Sequence, residues 1–255
     1  MKLSIVIPAY NEAVRLPPML EAYAAYFAEA YGDDFELIVV PNNCSDETAE
    51  VARQVKARFA QIRILDDPGR VGKGGAVMLG AREARGELIG FVDADGATPP
   101  KAFDDLVQHV GGAGCIIASR WLKGADVQPK QPIQRRVASR IFNTLVNVLF
   151  GLGISDTQCG AKLFRRDVMA FVLENLGVTN WAFDVDMLFQ VRRFGESIRE
   201  VATVWHDQAG SKIRIVRSSS HMLVAIVRLR LFYSPFRGII RPASRLVTKV
   251  VPYKK

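Results

Sequence analysis

The order of apolar and helical segments is the feature that most constrains the fold of this chain. In its first half, short apolar runs alternate with longer segments whose apolar residues recur at helical spacing. The predicted strands cover residues 3–8, 35–40, 62–65, 87–93 and 114–119, and the predicted helices cover 15–31, 45–59, 74–84 and 100–110. This alternation across short connections predicts an α/β fold with a mostly parallel sheet flanked by helices.

The second half of the chain is less regular. It predicts helices over residues 134–153, 167–175, 183–194 and 218–232, a strand over 198–206, and a short strand or turn over 161–167. In open parallel sheets, ligands bind at the carboxyl ends of the strands. The polar segments that follow the predicted strands should therefore converge on one cleft; they are "PAYNE", "PNNCSD", "DDPGRVGKGG" and "DADGAT".

Composition excludes several classes of protein. Hydrophobic residues make up 49% of the 255 residues, which is enough for a substantial core. The three cysteines have no C-x-x-C spacing, which argues against a disulfide framework or a structural zinc site and favours a reducing cytosol. The N-terminus lacks the features of a signal peptide, and no stretch approaches 18 uncharged apolar residues, so we expect no transmembrane helix.

Two aspartates one residue apart end the predicted strand in "LIGFVDADGATPP". Side chains at i and i+2 of a strand point the same way, so Asp93 and Asp95 could both face the cleft. Hard cations such as Mg²⁺ and Mn²⁺ prefer oxygen ligands and often bridge to substrate phosphates. The spacing alone leaves open a second interpretation, a solvated turn with a capping aspartate.

A glycine-rich segment, "GRVGKGGAV" over residues 69–77, precedes the third predicted helix. Glycines before a helix N-terminus suit an anion, and Lys73 adds positive charge. The spacing does not match a P-loop or a clean G-x-G-x-x-G motif. An ordinary glycine-rich turn is an equally good interpretation of this segment taken by itself.

The motifs taken together resemble one family. The segments "VIPAYNE", "GKGGAV", "DADGAT", "ASR", "TQCGAKLFRR", "WAFDVDML" and "AGSKI" occur in the order found in family 2 glycosyltransferases. Within that family they are most similar to the polyprenyl-phosphate hexosyltransferases, the group of dolichyl-phosphate glucosyltransferases and mannose synthases, and three of the segments favour the glucosyl branch. The resemblance covers about residues 3 to 213 and implies a GT-A-type, Rossmann-like domain over 1–213, followed by a basic tail over 214–255.

The resemblance also implies a nucleotide-sugar site, with a UDP- or GDP-hexose as donor. Its nucleotide-binding residues would be Pro8, Tyr10, Glu12, Asp46, Lys73 and Asp93, and Asp93 and Asp95 would hold Mg²⁺ or Mn²⁺ against the donor diphosphate. Two departures from the family pattern concern this site. "PNNC" stands where the family usually has "DDGS", which leaves the nucleotide base open, and Ala97 stands where mannose synthases often carry a glutamine ligand.

By the same resemblance, the acceptor is a polyprenyl phosphate and the transfer inverts the anomeric carbon. A phosphate monoester is already anionic at pH 7 and needs cations rather than a general base. The residues expected at the acceptor phosphate are Arg120, Arg135, Arg136, Ser211 and Lys212, although a solvated helix end also explains the arginine pair. The candidate bases or orienting acids are Asp156, Asp184 and Asp186, although the spacing of the last two fits helix-capping residues equally well. We expect a structural role for His206 rather than metal ligation.

The net charge of +8 is concentrated in the tail, since Asp207 is the last acidic residue and residues 208–255 hold 11 of the 34 Lys and Arg. The segment "HMLVAIVRLRLF" has the character of a basic amphipathic helix at an anionic membrane surface, and packing on the domain is an equal alternative. We therefore expect a peripheral protein at the cytoplasmic, inner face of the membrane, alone or through a separate membrane partner.

Three hypotheses follow for the function. The first is a transferase that makes a polyprenyl-phosphate hexose. The second is a glycosyltransferase with a soluble sugar or small-molecule acceptor, and the third is a non-catalytic nucleotide-sugar-binding scaffold. Nucleic-acid binding is not expected, because the chain lacks an evident aromatic platform.

Overall fold

A computed structural model describes residues 1–66, 69, 71–177, 182–206 and 215–234. The described strands are β1 (Leu3–Ala9), β2 (Phe35–Pro41), β3 (Ile62–Ile64), β4 (Leu88–Val92), β5 (Cys115–Ser119), β6 (Asp126–Gln128), β7 (Ala161–Arg165), β8 (Ile198–Ala202) and β9 (Val204–His206). The described helices are α1 (Leu16–Tyr31), α2 (Thr48–Lys56), α3 (Gly72–Glu83), α4 (Pro100–His109), α5 (Ile133–Phe150), α6 (Arg166–Asn175), α7 (Phe183–Arg193) and α8 (Ile215–Phe232).

Seven strands form one sheet in the order β3-β2-β1-β4-β7-β5-β8, and β6 pairs with β9 in a small parallel ladder. The pairs β1–β2, β1–β4, β2–β3 and β5–β8 are parallel, whereas β7 runs antiparallel between β4 and β5. The expected mostly parallel sheet flanked by helices is confirmed, and among its described strands β7 is the antiparallel one.

The strands are apolar on both faces because helices cover both. On one face, Ile5 and Ile7 of β1 pack in a core with α1, α2 and α4. On the other face, Val6 of β1 and Phe91 of β4 pack in a second core with α3, α5, α6, α7 and α8. Because successive strand residues point to opposite faces, a continuous apolar run fills both cores.

Two predicted elements differ in the structure. The strand predicted over 198–206 is divided at Thr203, where the chain leaves β5 and turns to pair with β6. The backbone of Thr203 bridges the two partners, because its N–H donates to Ser119 and its carbonyl accepts from Asp126. The helix predicted from Ser45 begins at Thr48 instead, since the Ser45 N–H donates to the side chain of Asn11.

Helix α8 packs with one side against the domain. Ile226 and Leu229 are fully buried in the second core, beside α5 and α7. The described part of the tail therefore belongs to the same body as the sheet, while the boundary at residue 213 stays a prediction because that position lies outside the described residues. Among the helices of the described ranges, none combines the length and apolar character needed to cross a membrane.

Candidate active site

The loops after β1 and β2 are tied together at the carboxyl edge of the sheet. The Nδ2 of Asn11 donates to Ser45, and the backbone N–H of Glu12 donates to the Thr48 hydroxyl at 2.8 Å. Asp46 accepts hydrogen bonds from Thr48 and from the backbone of the β1 loop. Burial opposes ionisation of Asp46, but these bonds outweigh it and lower its pKa. Two expected nucleotide-binding segments thus form one rigid rim.

The other nucleotide-binding residues predicted for these loops differ in whether their side chains are free to contact a ligand. Tyr10 is exposed at 59%, so its ring is free to meet a ligand, while Pro8 is half-buried within β1. The Glu12 carboxylate is held by the Arg15 guanidinium at 2.5 and 2.6 Å. Glu12 therefore already has a cationic partner within the chain.

Asp93 and Asp95 lie directly after β4, as the sequence predicted. The Nζ of Lys73, in the first turn of α3, is 2.6 Å from Asp93 Oδ1. Burial would lower the pKa of Lys73, but the charges of Asp93 and Asp184 outweigh it and raise the pKa. Asp95 accepts a hydrogen bond from the Ala97 N–H at 3.0 Å, and burial together with the charge of Asp93 raises its pKa.

Gly160 packs against the carboxylate of Asp93. Its carbonyl accepts a hydrogen bond from the Asp93 N–H at 3.2 Å, and a Cβ at this position would lie 2.1 Å from Asp93 Oδ2. No real Cβ approaches an oxygen that closely, so the carboxylate occupies the space that a side chain would fill. The motif "TQCGAK" was noted in the sequence, but this role of its glycine was not.

A buried lysine of β7 forms an ion pair with Asp184. Lys162 is fully buried, and its Nζ donates to Asp184 Oδ1 at 2.6 Å and to the Cys159 carbonyl at 2.7 Å. Burial opposes the charge of Asp184, but Lys162 and Lys73 outweigh it and lower its pKa. Asp184 is thus an ion-paired carboxylate and a weak base. The sequence had suggested it as a candidate base or orienting acid.

Arg120 and Asp156 form a second buried ion pair, after β5. The Nε and NH2 of Arg120 donate to the two carboxylate oxygens at 2.8 and 2.9 Å, and the side chains are 13% and 2% exposed. The Arg120 guanidinium also stacks 4.9 Å from the Trp205 ring, and Glu200 accepts from the backbone N–H of Asp156. Burial disfavours the charge of Arg120, but Asp156 outweighs it and raises the pKa.

Aromatic and basic side chains surround this pair. The guanidinium groups of Arg136 and Arg140, on α5, lie 5.8 and 5.2 Å from the Trp121 ring. Among the described residues, three buried N–H groups here have no hydrogen-bond partner: Trp121 Nε1, Trp205 Nε1 and Gln158 Nε2. Buried donors are normally satisfied, so these three N–H groups mark a place where a hydrogen-bond acceptor is missing.

The remaining predicted residues fall elsewhere. Asp186, expected as a candidate base or orienting acid, is fully buried, and Gly177, Gln190 and Tyr233 donate to its carboxylate. The imidazole of His206 is exposed, and its backbone N–H donates to the Ala97 carbonyl at 2.8 Å. Arg135 lies in the first turn of α5. Ser211 and Lys212 lie outside the described residues.

The residues present fit a divalent cation. In the part of the chain that the structure describes, no three His, Cys, Asp or Glu side chains cluster closely enough to hold a metal by themselves. Asp93 and Asp95 nevertheless offer two carboxylates. Asp95 has no ion pair among the described residues, and burial together with the charge of Asp93 raises its pKa. Mg²⁺ is commonly held by one or two carboxylates together with substrate phosphates, so a two-carboxylate set is sufficient.

Comparison with known proteins decides the family. Residues 4–172 match the family model described as glycosyl transferase family 2. The chain belongs to this family. The predicted family and the predicted enzyme class, a glycosyltransferase, are thereby confirmed for a domain that includes β1 to β7.

Two family members illustrate the similarity. The dolichyl-phosphate beta-glucosyltransferase of Dictyostelium discoideum is 35% identical over 243 residues, which cover 91% of this chain and 74% of the relative. The human dolichyl-phosphate beta-glucosyltransferase is 33% identical over 225 residues, covering 83% and 69%. Among solved structures, one similar fold is that of glucosyl-3-phosphoglycerate synthase from Mycobacterium tuberculosis in complex with Mn²⁺ and UDP-glucose. Its TM-score is 0.66 at 16% sequence identity, and the match covers 90% of this chain and 78% of the synthase chain. The last likeness concerns the fold alone.

Proposed function

We propose that this family 2 glycosyltransferase transfers glucose from UDP-glucose to the phosphate of a polyprenyl phosphate of the dolichyl type, with inversion at the anomeric carbon. One observation carries the proposal. Asp93 and Asp95 follow β4 and Arg120 follows β5, and both strands end at the edge of the sheet where β7 begins. A cation-binding pair thus stands beside a site for an incoming anion.

On the donor side, Asp93 and Asp95 would hold Mg²⁺ or Mn²⁺ against the diphosphate. When bound, such a cation neutralises the negative charge that develops on the departing nucleoside diphosphate. Lys73 would add a second positive charge at the same diphosphate. The exposed ring of Tyr10 and the rim that contains Asp46 would bind the nucleoside.

On the acceptor side, a phosphate oxygen attacks the anomeric carbon, the new C–O bond forms, and the bond to the donor diphosphate breaks with its electron pair on the leaving oxygen. No proton has to be removed, since the acceptor is already an anion. This chemistry is supported by the pairing of Asp156 and Asp184, because neither carboxylate is placed as a free base. Asp156 would orient Arg120 towards the phosphate, with Arg136 and Arg140 nearby.

The relatives support both substrates. Family members at 33–35% identity are named for a dolichyl phosphate acceptor and a glucosyl group, and the solved synthase contains UDP-glucose with Mn²⁺. The same synthase is named for a soluble phosphate acceptor, 3-phosphoglycerate. Both acceptors present a phosphate, so the arginine cluster fits either, and the lipid has to be argued separately.

The outward side of α8 supports a lipid acceptor. Opposite the buried Ile226 and Leu229, the helix exposes four apolar side chains, 39–48% accessible: Leu223, Val224, Val227 and Leu231. Arg228 and Arg230 lie on either side of this stripe. Such a helix suits the interface of an anionic membrane.

Helix α5 extends the apolar surface, since it packs against α8. Its exposed apolar side chains, 52–76% accessible, are Ile133, Val137, Ile141 and Val148. Arg136 lies on the same helix, so the lipid-facing surface and the phosphate-binding cluster would be continuous. All three cysteines are free, which accords with a peripheral location at the cytoplasmic face.

The direct test incubates the protein and Mg²⁺ or Mn²⁺ with a short polyprenyl phosphate and a panel of labelled UDP- and GDP-hexoses. We expect glycolipid from UDP-glucose, none when free polyprenol replaces the phosphate, and none from Asp95→Ala. Asp105→Ala, which removes an α4 carboxylate paired with Lys101, is the matched control and should remain active. Transfer to 3-phosphoglycerate instead of the lipid, or near-normal turnover by Asp95→Ala, would contradict the proposal.

A further inference from the structure

Asn42 lies at the carboxyl end of β2 and clips the segment that leads into α3. Its Nδ2 donates to the Gly69 carbonyl at 2.6 Å, and its Oδ1 accepts from the Gly72 N–H at 3.1 Å. The side chain is 5% exposed, and its own backbone N–H donates to the Ala9 carbonyl at 2.9 Å. A single amide therefore connects the ends of β1 and β2 to the start of α3.

The clip acts as a cap supplied from another element. The first N–H groups of a helix have no partner within the helix, and the residue before α3, Val71, offers no side-chain cap. Asn42 satisfies the first of these N–H groups, on Gly72. Gly72 has φ +70°, a conformation that most other residues avoid, and the contact with Asn42 helps to hold its backbone in this geometry.

Lys73 follows immediately after the clipped residue. Its Nζ reaches Asp93 at 2.6 Å, and it also lies 5.8 Å from the Phe91 ring. A displacement of Gly72 would move the Lys73 backbone directly. The ammonium group would then lose its place beside the carboxylate.

We propose that Asn42 is a positioning residue: it holds Gly69 and Gly72 and so sets where Lys73 meets the donor diphosphate. This task needs a side chain that donates and accepts at once. The inference rests on the proposed nucleotide-sugar site. It also gives a physical reason for the departure of "PNNC" from the usual "DDGS". An ionised aspartate at position 42 could accept from Gly72 but would place a carboxylate oxygen against the Gly69 carbonyl.

The test substitutes Asn42→Asp and measures the affinity for UDP-glucose with Mn²⁺ by calorimetry between pH 5.5 and 8. At pH 8 the carboxylate cannot donate, and we expect the Kd to rise about tenfold relative to the wild type, the effect of one lost hydrogen bond. A protonated Asp has the same donor and acceptor pattern as Asn. Because burial favours the neutral acid, the ratio of the two Kd values should fall towards one as the pH decreases.

The other titratable groups nearby, the Cys44 thiol, Lys73 and Asp93, are common to both proteins and cancel in this ratio. Asn42→Ala should raise the Kd with a ratio that does not change with pH. Asn175→Asp, which removes a similar Nδ2 bond to the Phe171 carbonyl at the end of α6, is the matched control and should bind like the wild type.

Two results would overturn the inference: a Kd ratio for Asn42→Asp that is flat across pH, or Asn42→Ala binding as tightly as the wild type. If Asn42→Asp is unfolded at pH 8 in a thermal melt, the Asn42→Ala measurement decides alone. A wild-type protein that binds no UDP-glucose at any pH would instead refute the proposed function, and this inference with it.

Discussion

A methyl group added at Gly160 should disable the site without disrupting the sheet. The Cβ would lie 2.1 Å from Asp93 Oδ2 and 2.6 Å from its Cγ. To reach an ordinary van der Waals separation, the carboxylate must move by more than about 1 Å. That movement breaks the 2.6 Å contact with Lys73 and shifts one of the two carboxylates offered to the cation. A displacement of about 1 Å at reacting groups can cost about 10²-fold in rate, so we expect a comparable loss of kcat/KM for Gly160→Ala.

The assay is the transfer of glucose to polyprenyl phosphate, measured together with thermal unfolding. Gly112→Ala provides the matched control, because a Cβ there meets no atom within 4 Å. It should keep full activity and be slightly stabilised, since alanine lowers the entropy of the unfolded chain. If Gly160→Ala retains kcat/KM within about threefold of the wild type, the Asp93 carboxylate is not held where catalysis requires it, and the reasoning fails.

Three further predictions concern charge and surface. Arg120→Ala leaves the buried Asp156 without its ion-pair partner and should lower the free energy of unfolding in urea by about 3–5 kcal/mol. The double variant Arg120→Ala/Asp156→Ala should recover most of this stability but no activity. Asp184→Asn should lower the free energy of unfolding at pH 7, and its difference from the wild type should shrink below about pH 4. The reason is that a carboxylate with a lowered pKa stabilises the fold above its unfolded pKa and stops doing so as the pH falls through its folded pKa. Equal losses at pH 7 and pH 3 in denaturant titrations would contradict this. Leu223→Ser/Val227→Ser should weaken flotation with anionic liposomes without changing the melting temperature, and unchanged flotation would count against α8 as the membrane-facing helix.

Much of the fold follows from local patterns. The strands β1, β2, β4 and β5 are runs of mostly apolar residues, and such runs can be recognised wherever both faces of a sheet are covered. The antiparallel direction of β7 is different. Nothing in "AKLFR" specifies which way the strand runs, because direction depends on the path of the chain through α5 and the following loop. β6 was not predicted for a similar reason, since "DVQ" is short and its partner among the described strands, β9, lies far along the chain.

The site divides in the same way. Asp93 and Asp95 could be placed from the sequence because a strand end and a D-x-D spacing are both local features. Lys162 could not be placed from the sequence. The role of a lysine in an apolar strand becomes clear only when its partner, Asp184 on a distant helix, is known. The only local signal was a charge inside the run "GAKLF", which should have suggested a buried ion pair. The role of Asn42 could not be predicted either, because its partners Gly69 and Gly72 lie 27 and 30 residues further along the chain.

The pattern of ion pairs explains why the site still lacks a positive charge beside Asp95. Among the described residues, Asp93, Asp156 and Asp184 each lie within 3 Å of a basic side chain, whereas Asp95 has no ion pair. Paired groups are held in place and need little reorganisation when a ligand arrives. Asp95 is instead destabilised as an anion by burial and by Asp93, which raises its pKa. A divalent cation would relieve this repulsion and bring the charge that the donor diphosphate requires, so cation and donor should bind cooperatively, and each should bind weakly without the other.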